Sequence, residues 1–308
     1  MQANRYATLE RVRGMAQKMG WGLRVVGPGA TAQGLFRLAG ICATQPRAGA
    51  VHLKSGPVLE FDYPSQFPPV LVMFGDFIDP EFAFLQLIAR PNWIVVDVGA
   101  AIGQFSMFAA LCLPGSTVMA FEPSGINVAT LRRNIVRNGV DGRVEVHQAA
   151  LSNTKGWGHF ATAPKTWMSQ LLSADSADSA SELVLVDTLD ATAAALQLDH
   201  IDILKINVAG FEPQVLEGAM ETLRAGRVDV MVLLLGLASL PHYAAIALLG
   251  YRFFYYHPGQ QVLFEVERFD ADAVLAHRPW PARHILVIRS AVVEQLLGDR
   301  VVVHALGA

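Results

Sequence analysis

The segment Trp93-Ile-Val-Val-Asp-Val-Gly-Ala-Ala-Ile-Gly-Gln-Phe-Ser106 restricts this chain to a narrow set of folds. Its apolar start, broken only by Asp97, reads as a buried strand, and Gly99 and Gly103 read as a turn that opens a helix. Glycine suits that turn because it lets the backbone bend sharply and pass close to a ligand. A second apolar run ends at Phe121-Glu122-Pro123, about twenty residues beyond the turn, and brings a carboxylate to the same edge of the sheet. An acid there lies within reach of ribose hydroxyls, so the two features together point to an adenosine-containing cofactor.

The alternation of strand and helix continues along the chain. Strands are expected at Ile94–Val98, Thr117–Phe121, Val144–Ala150, Val184–Val186, Ile201–Val208 and Val228–Leu235. Arg252–Tyr256, Val262–Val266 and Ile285–Ile288 follow, the first two close enough to pair antiparallel. Helices are expected over Ile102–Leu111, Asn127–Asn138, Asp190–Leu196 and Pro213–Leu223, with a polar loop over Ser173–Ser181. The expectation is an α/β fold with a Rossmann-like, doubly wound, mostly parallel sheet of seven strands over residues 91–308.

Residues 1–90 form an N-terminal extension in this reading. Residues 1–45 have helical spacing, and Val51–Tyr63 alternates as a strand or hairpin closed by Pro64, Pro68 and Pro69. Asp79-Pro80-Glu81 starts a helix, with Asp79 as its cap and Phe82, Phe84, Leu85 and Ile88 as the buried stripe. That helix is expected to end near Arg90-Pro91.

The loop itself discriminates between adenosine cofactors. A dinucleotide site reads G-x-G-x-x-G, because a helix N-terminus must receive a pyrophosphate. Here Asp97 stands where the first glycine would fall, and the spacing is Asp-x-Gly-x-x-x-Gly. A carboxylate at that point repels a pyrophosphate but suits the ammonium of a methionine moiety. S-adenosylmethionine carries no phosphate, and Glu122 can accept from both of its ribose hydroxyls.

Several further blocks then resemble one family, the FkbM-type S-adenosylmethionine-dependent methyltransferases. Phe77-Ile-Asp-Pro-Glu81 is similar to the segment ahead of its first strand, and Val95 to Ser106 to its cofactor loop. Phe121-Glu-Pro123, the pair Asn134 and Asn138, Asp187-Thr-Leu-Asp190 and Leu204-Lys-Ile-Asn-Val-Ala-Gly-Phe-Glu212 follow in the family's order. The resemblance implies a methyltransferase-type sheet and methyl transfer to a hydroxyl of a sugar, glycolipid or secondary metabolite. It implies that Asp97, Gly99, Ala101 and Gly103 seat the methionine portion and Glu122 and Pro123 the ribose. Ala150 and Leu151 would lie near the adenine, and Lys205, Asn207 and Glu212 would face the acceptor.

The chain departs from the family's pattern at the strand ends. Ala101 replaces the loop's usual Asn, and Asn207 and Ala209 replace two acids in Lys-Ile-Asp-Val-Glu-Gly. Val232-Leu-Leu-Leu-Gly236 lacks the acid common in the fifth strand. Transfer to an alcohol needs alignment and a base for the proton, and Asn207 cannot be that base. Losing two carboxylates also weakens any divalent-cation site, so no metal is expected. Either other groups carry catalysis (Lys205, Glu212, Asp190, His147, or His159 near Trp157 and Trp167), or the chain binds cofactor or acceptor without turnover. Each candidate also has a plainer reading. Lys205 can be ion-paired, Glu212 can favour a helix N-terminus, Asp190 can cap a helix, and the two histidines can be sheet or loop residues.

Bulk properties limit the partners. A net charge of −3 and no basic stripe give no reason to expect nucleic acid. Cys42 and Cys112 have no redox or metal spacing, and Met1–Gly20 lacks a continuous apolar core, so a cytoplasmic protein is expected. The positive mean hydropathy of +0.34 raises a membrane question. Val98–Phe121 and Val230–Gly250 are uncharged, but glycines and prolines break both, which excludes a spanning helix and leaves peripheral contact open.

Overall fold

The computed structural model describes residues 19–161, 170–171, 181–276 and 284–305. Residues 19–26 are helical and α1 (Pro28–Thr44) follows, so the helical expectation for residues 1–45 holds in its described part. Residues 1–18, Trp167 and most of the polar stretch at Ser173–Ser181 lie outside the described residues. β1 (Ala48–His52) and β2 (Val58–Asp62) pair antiparallel, so of the strand and the hairpin expected there the chain forms the hairpin. α2 (Pro69–Phe74) and α3 (Pro80–Ile88) both open on proline, whose missing N–H costs nothing in a first turn. α3 buries Phe82, Phe84, Leu85 and Ile88, the stripe read from the sequence.

The large sheet has nine strands in the order β15-β13-β12-β14-β11-β10-β3-β4-β5. β3 (Ile94–Val98), β4 (Thr117–Phe121), β5 (Val144–His147), β10 (Ile201–Ile206) and β11 (Val228–Leu234) run parallel. β14 (His284–Arg289) lies antiparallel between β11 and β12 (Tyr251–His257). These seven strands are the arrangement expected from the sequence. β13 (Val262–Val266) pairs antiparallel with β12, as expected; the correction is β15 (Val302–Ala305), which adds beyond β13 and gives the sheet nine strands where seven were expected. Four residues near the chain end carry too little pattern for β15 to be legible, and only pairing with β13 makes them a strand.

Both faces of the sheet are covered, which is why its strands are continuously apolar. Val95, Ile203 and Val230 face one core, with Phe108 of α4 (Gln104–Cys112) and Leu131 of α5 (Gly125–Arg137). Val96, Leu204 and Met231 face the other. Leu59 and Phe61 of the hairpin belong to the first core, so the hairpin packs into the same layer as α4 and α5.

Two other expectations are corrected locally. The strand expected over Val144–Ala150 stops at His147, and β6 (Ala150–Leu151) joins a second sheet of order β6-β9-β7-β8. That sheet also holds β7 (Gly156–Ala161), β8 (Gln170–Leu171) and β9 (Ser181–Asp187). The helix expected over Pro213–Leu223 divides into α7 (Glu212–Glu217) and α8 (Met220–Arg224), beyond α6 (Leu189–Ala195). At the break, Gly218 presses on the Ser152 carbonyl, whose oxygen would lie 1.9 Å from an added Cβ. Asp190 then accepts from the amides of Glu221 and Thr222 at 3.0 and 2.7 Å, anchoring the start of α8. α6 itself is capped by Thr188, whose hydroxyl accepts from Ala191 N.

Candidate active site

The loop between β3 and α4 is shaped by close approach. Gly99 and Gly103 have φ of +77° and +93°, and a Cβ on Gly99 would lie 2.1 Å from the Asn207 carbonyl oxygen. One on Gly103 would lie 2.5 Å from Leu131 Cδ1. Ala101, between them, is also left-handed at φ +49°, a conformation that costs an L-residue about 1–2 kcal/mol.

Four of the loop's amides are already engaged. Gly99 N and Ala100 N donate to Phe121 O at 2.9 and 3.0 Å, and Gly103 N donates to Ala100 O at 2.8 Å. Ala101 N donates to Glu122 Oε2 at 2.8 Å. A pyrophosphate needs such amides free, so this donor set fits a nucleoside cofactor without phosphates.

Beneath the loop lies a buried ion pair. β10 and β3 pair in the register Lys205 with Asp97, which sets the two side chains next to each other. Lys205 Nζ donates to Asp97 Oδ1 at 2.8 Å, to Gly99 O at 2.7 Å and to Val98 O at 3.2 Å. Asp97 Oδ2 accepts from Ser106 Oγ at 2.6 Å. Lys205 thus directs its ammonium protons to the loop, although its side chain forms part of the cavity wall. Asp97 is fully buried and supports the loop from below.

Glu122, just past β4, is 4% exposed. Besides Ala101 N it accepts from Asn127 Nδ2 at 3.0 Å and Ser124 N at 3.1 Å. Burial raises its carboxyl above the usual range, opposed by the Asn127, Ala101 and Ser124 hydrogen bonds and the Lys205 charge.

After β10, Asn207 N donates to Val98 O at 3.1 Å, which extends the strand pairing by one residue. Ala209 follows at φ +54°, where the family's sequence has an acid. Glu212 accepts from Val208 N at 2.8 Å and Gly210 N at 2.9 Å. Its 3% exposure and these bonds correct the expectation that it faces the acceptor: it clamps the turn after β10.

A cavity of about 630 Å³ opens at the carboxyl ends of β3, β4, β10 and β11, where ligands bind in open parallel sheets. Gly99, Ala101, Glu122, Pro123, Ala150 and Leu151 line one part of it. Phe67, Leu71, Ile78, Phe82, Phe211 and Leu234 line another, and Lys205 and Asn207 sit in the wall as well. The remaining candidates lie in structural settings. Asp190 anchors α8, the His147 ring stacks on Phe121 at 4.6 Å, and His159 Nδ1 lies 2.9 Å from Ser181 Oγ. His200, Asp202 and Asp229 come together at the opposite end of the strands, where Arg289 pairs with Asp229.

Two cavity residues escaped the sequence reading. Glu81 and His284 both line the wall, and the Glu81 carboxylate contacts His284 Nδ1. His284 Nε2 lies 3.3 Å from Asn207 Nδ2. Glu81 was legible as part of a helix start and of a block similar to the family's, without a role in the site. No local signal marks His284, which reaches the cavity because β14 runs antiparallel and begins where the parallel strands end, opposite Leu234.

The engaged loop amides and the acid beyond the second strand suit S-adenosylmethionine. Residues 97–255 match the family model of the methyltransferase FkbM domain, and the chain belongs to that family. It is 43% identical over 100 residues to the 31-O-demethyl-FK506 methyltransferase FkbM of Streptomyces tacrolimicus, covering 32% of this chain and 36% of that one. It is 27% identical over 145 residues to Methyltransferase 1 of Beauveria bassiana, covering 40% of this chain and 57% of that one. The chain thus spans between about a third and just over half of these relatives. The crystal structure of methyltransferase FkbM from Methylobacillus flagellatus aligns over 73% of this chain and 56% of that one. Its TM-score is 0.41 at 16% identity. No helix among the described residues is long and apolar enough to cross a membrane.

Proposed function

We infer that this chain transfers the methyl group of S-adenosylmethionine to a hydroxyl of a largely apolar acceptor, a secondary metabolite in preference to a sugar or glycolipid. The observation that carries this reading is the single cavity, in which a loop and carboxylate suited to a nucleoside share one space with an apolar wall. The backbone at Gly99, Ala101 and Gly103 would seat the methionine portion, with Asp97 and Lys205 holding that backbone in place. Glu122 would accept from the ribose hydroxyls, with Pro123, Ala150 and Leu151 beside the nucleoside. When bound, the cofactor supplies an electrophilic methyl group.

Phe67, Leu71, Ile78 and Phe82 would hold the acceptor, since these side chains give that part of the wall an apolar surface. The relative named for 31-O-demethyl-FK506 supports oxygen as the accepting atom. The match to the methyltransferase FkbM family model argues against a protein that binds without turning over, despite Asn207 and Ala209. A cytoplasmic enzyme, with an extension over 1–90 and a methyltransferase domain over 91–308, is part of the same reading.

Calorimetry with S-adenosylhomocysteine tests cofactor binding, and radiolabelled S-adenosylmethionine with hydroxylated polyketides and oligosaccharides tests the acceptor. Binding together with transfer to the polyketides is the expected result. Folded protein that gives no heat overturns the cofactor, and transfer to sugars alone overturns the acceptor.

A further inference from the structure

Losing the acids at positions 207 and 209 leaves an O-methyltransferase without the carboxylate base that its strand end would offer. The cavity contains another group able to do that work. Glu81, 3% exposed in the first turn of α3, contacts Nδ1 of His284. The opposite ring nitrogen, Nε2, lies 3.3 Å from the Asn207 amide nitrogen, and all three residues line the cavity. A carboxylate can only accept, so it selects the tautomer with the proton on Nδ1 and leaves the Nε2 lone pair available. The Asn207 amide donates to that lone pair until an acceptor hydroxyl takes its place, and by turning over it can present its oxygen to a protonated Nε2. Asparagine therefore serves both protonation states of the ring. An aspartate at the same place would favour the imidazolium alone.

We propose that His284 is the catalytic base of methyl transfer, oriented by Glu81, and that Asn207 keeps its Nε2 available as a proton acceptor. This rests on the O-methyltransferase reading above. As the acceptor oxygen forms its bond to the methyl carbon, the carbon–sulfur bond breaks and its electron pair stays on sulfur. The hydroxyl proton passes to Nε2, and the positive charge lost by the sulfonium appears on the imidazolium beside the Glu81 carboxylate. His284 then returns the proton to solvent. The other titratable groups in the cavity wall, among the described residues, are Asp79, Glu122 and Lys205.

Nitrogen-15 NMR of histidine-labelled protein reads the tautomer directly, with the His284 signals assigned by their loss in His284→Gln and their shift in Glu81→Gln. The expected spectrum of the neutral ring in the unmodified protein shows a protonated Nδ1 and an unprotonated Nε2. In Asn207→Asp, the imidazolium should persist to higher pH. With an acceptor from the panel above, His284→Gln should lower turnover roughly a hundredfold or more, while affinity for S-adenosylhomocysteine by calorimetry stays within about twofold. Asn207→Asp should move the acid limb of the pH–rate profile upward, and Glu81→Gln should lower turnover and move that limb downward. A proton found on Nε2 in the neutral ring, or full turnover by His284→Gln, overturns the proposal. Loss of S-adenosylhomocysteine binding by the unmodified protein instead overturns the functional reading, and leaves the NMR result to judge His284 alone.

Discussion

Lys205 and Asp97 stand side by side in register on neighbouring parallel strands, with Nζ 2.8 Å from Oδ1 and the side chains 8% and 0% exposed. Removing one partner of such a pair strands the other charge in the interior. Lys205→Met is expected to cost about 3–5 kcal/mol in urea unfolding and to weaken S-adenosylhomocysteine binding. Adding Asp97→Asn to the same chain should recover most of the stability but not the binding, because the loop carbonyls still lack their donor.

Glu122 sets a pH dependence of opposite sign to that of an ion-paired acid. Its carboxyl is raised by burial above the 4.5 of an unperturbed glutamate, so the folded chain keeps a proton that the unfolded chain has released. Stability must therefore fall as pH rises from 4.5 to that raised value, and be unaffected by this group on either side. Denaturant titrations across that window should show the fall in the unmodified protein and its absence in Glu122→Gln.

The left-handed alanines carry strain that their replacements can relieve. Ala101 and Ala209 sit at φ +49° and +54°. Asparagine and glycine tolerate that region, so Ala101→Asn and Ala209→Gly should each raise stability by about 0.5–1 kcal/mol in urea unfolding. An unchanged or lower midpoint in both would show that the neighbouring contacts, and not the backbone, set the energy there.

Asn134 and Asn138 act as a substitute strand for the hairpin. Asn134 accepts from Glu60 N at 2.7 Å and donates to Glu60 O at 3.1 Å. Asn138 does the same for Val58, at 2.8 and 2.7 Å. Four residues on a helix rise about 6 Å and two on a strand about 6.8 Å, so the spacings agree. Asn134→Ala and Asn138→Ala should each cost about 1–3 kcal/mol by exposing these backbone groups unpaired. Hydrogen exchange at Val58 and Glu60 should quicken in the matching variant, while β10 stays protected.

Some of the site was legible because its chemistry is local. Gly99 and Gly103 are required by a turn that the flanking strand and helix already imply, and Glu122 follows an apolar run. Their spacing identifies the cofactor class without a fold. Roles that depend on contact were not legible. Glu212 lies in a block similar to the family's, yet it bonds the turn after β10, and Asp190 anchors α8 while Thr188 caps α6. The sequence shows that a carboxylate is present near a turn, but not which amides will face it.

By itself, then, the sequence determined the alternating strands and helices, the glycine bend and the acid beyond it. These follow from hydrophobic period and backbone freedom, which act over a few residues. Only the tertiary structure decided the partners of the buried charges and the nine-stranded extent of the sheet. It alone set His284 against Glu81, 203 residues apart in the chain. Such contacts arise from strand order and direction, which no short stretch of residues encodes.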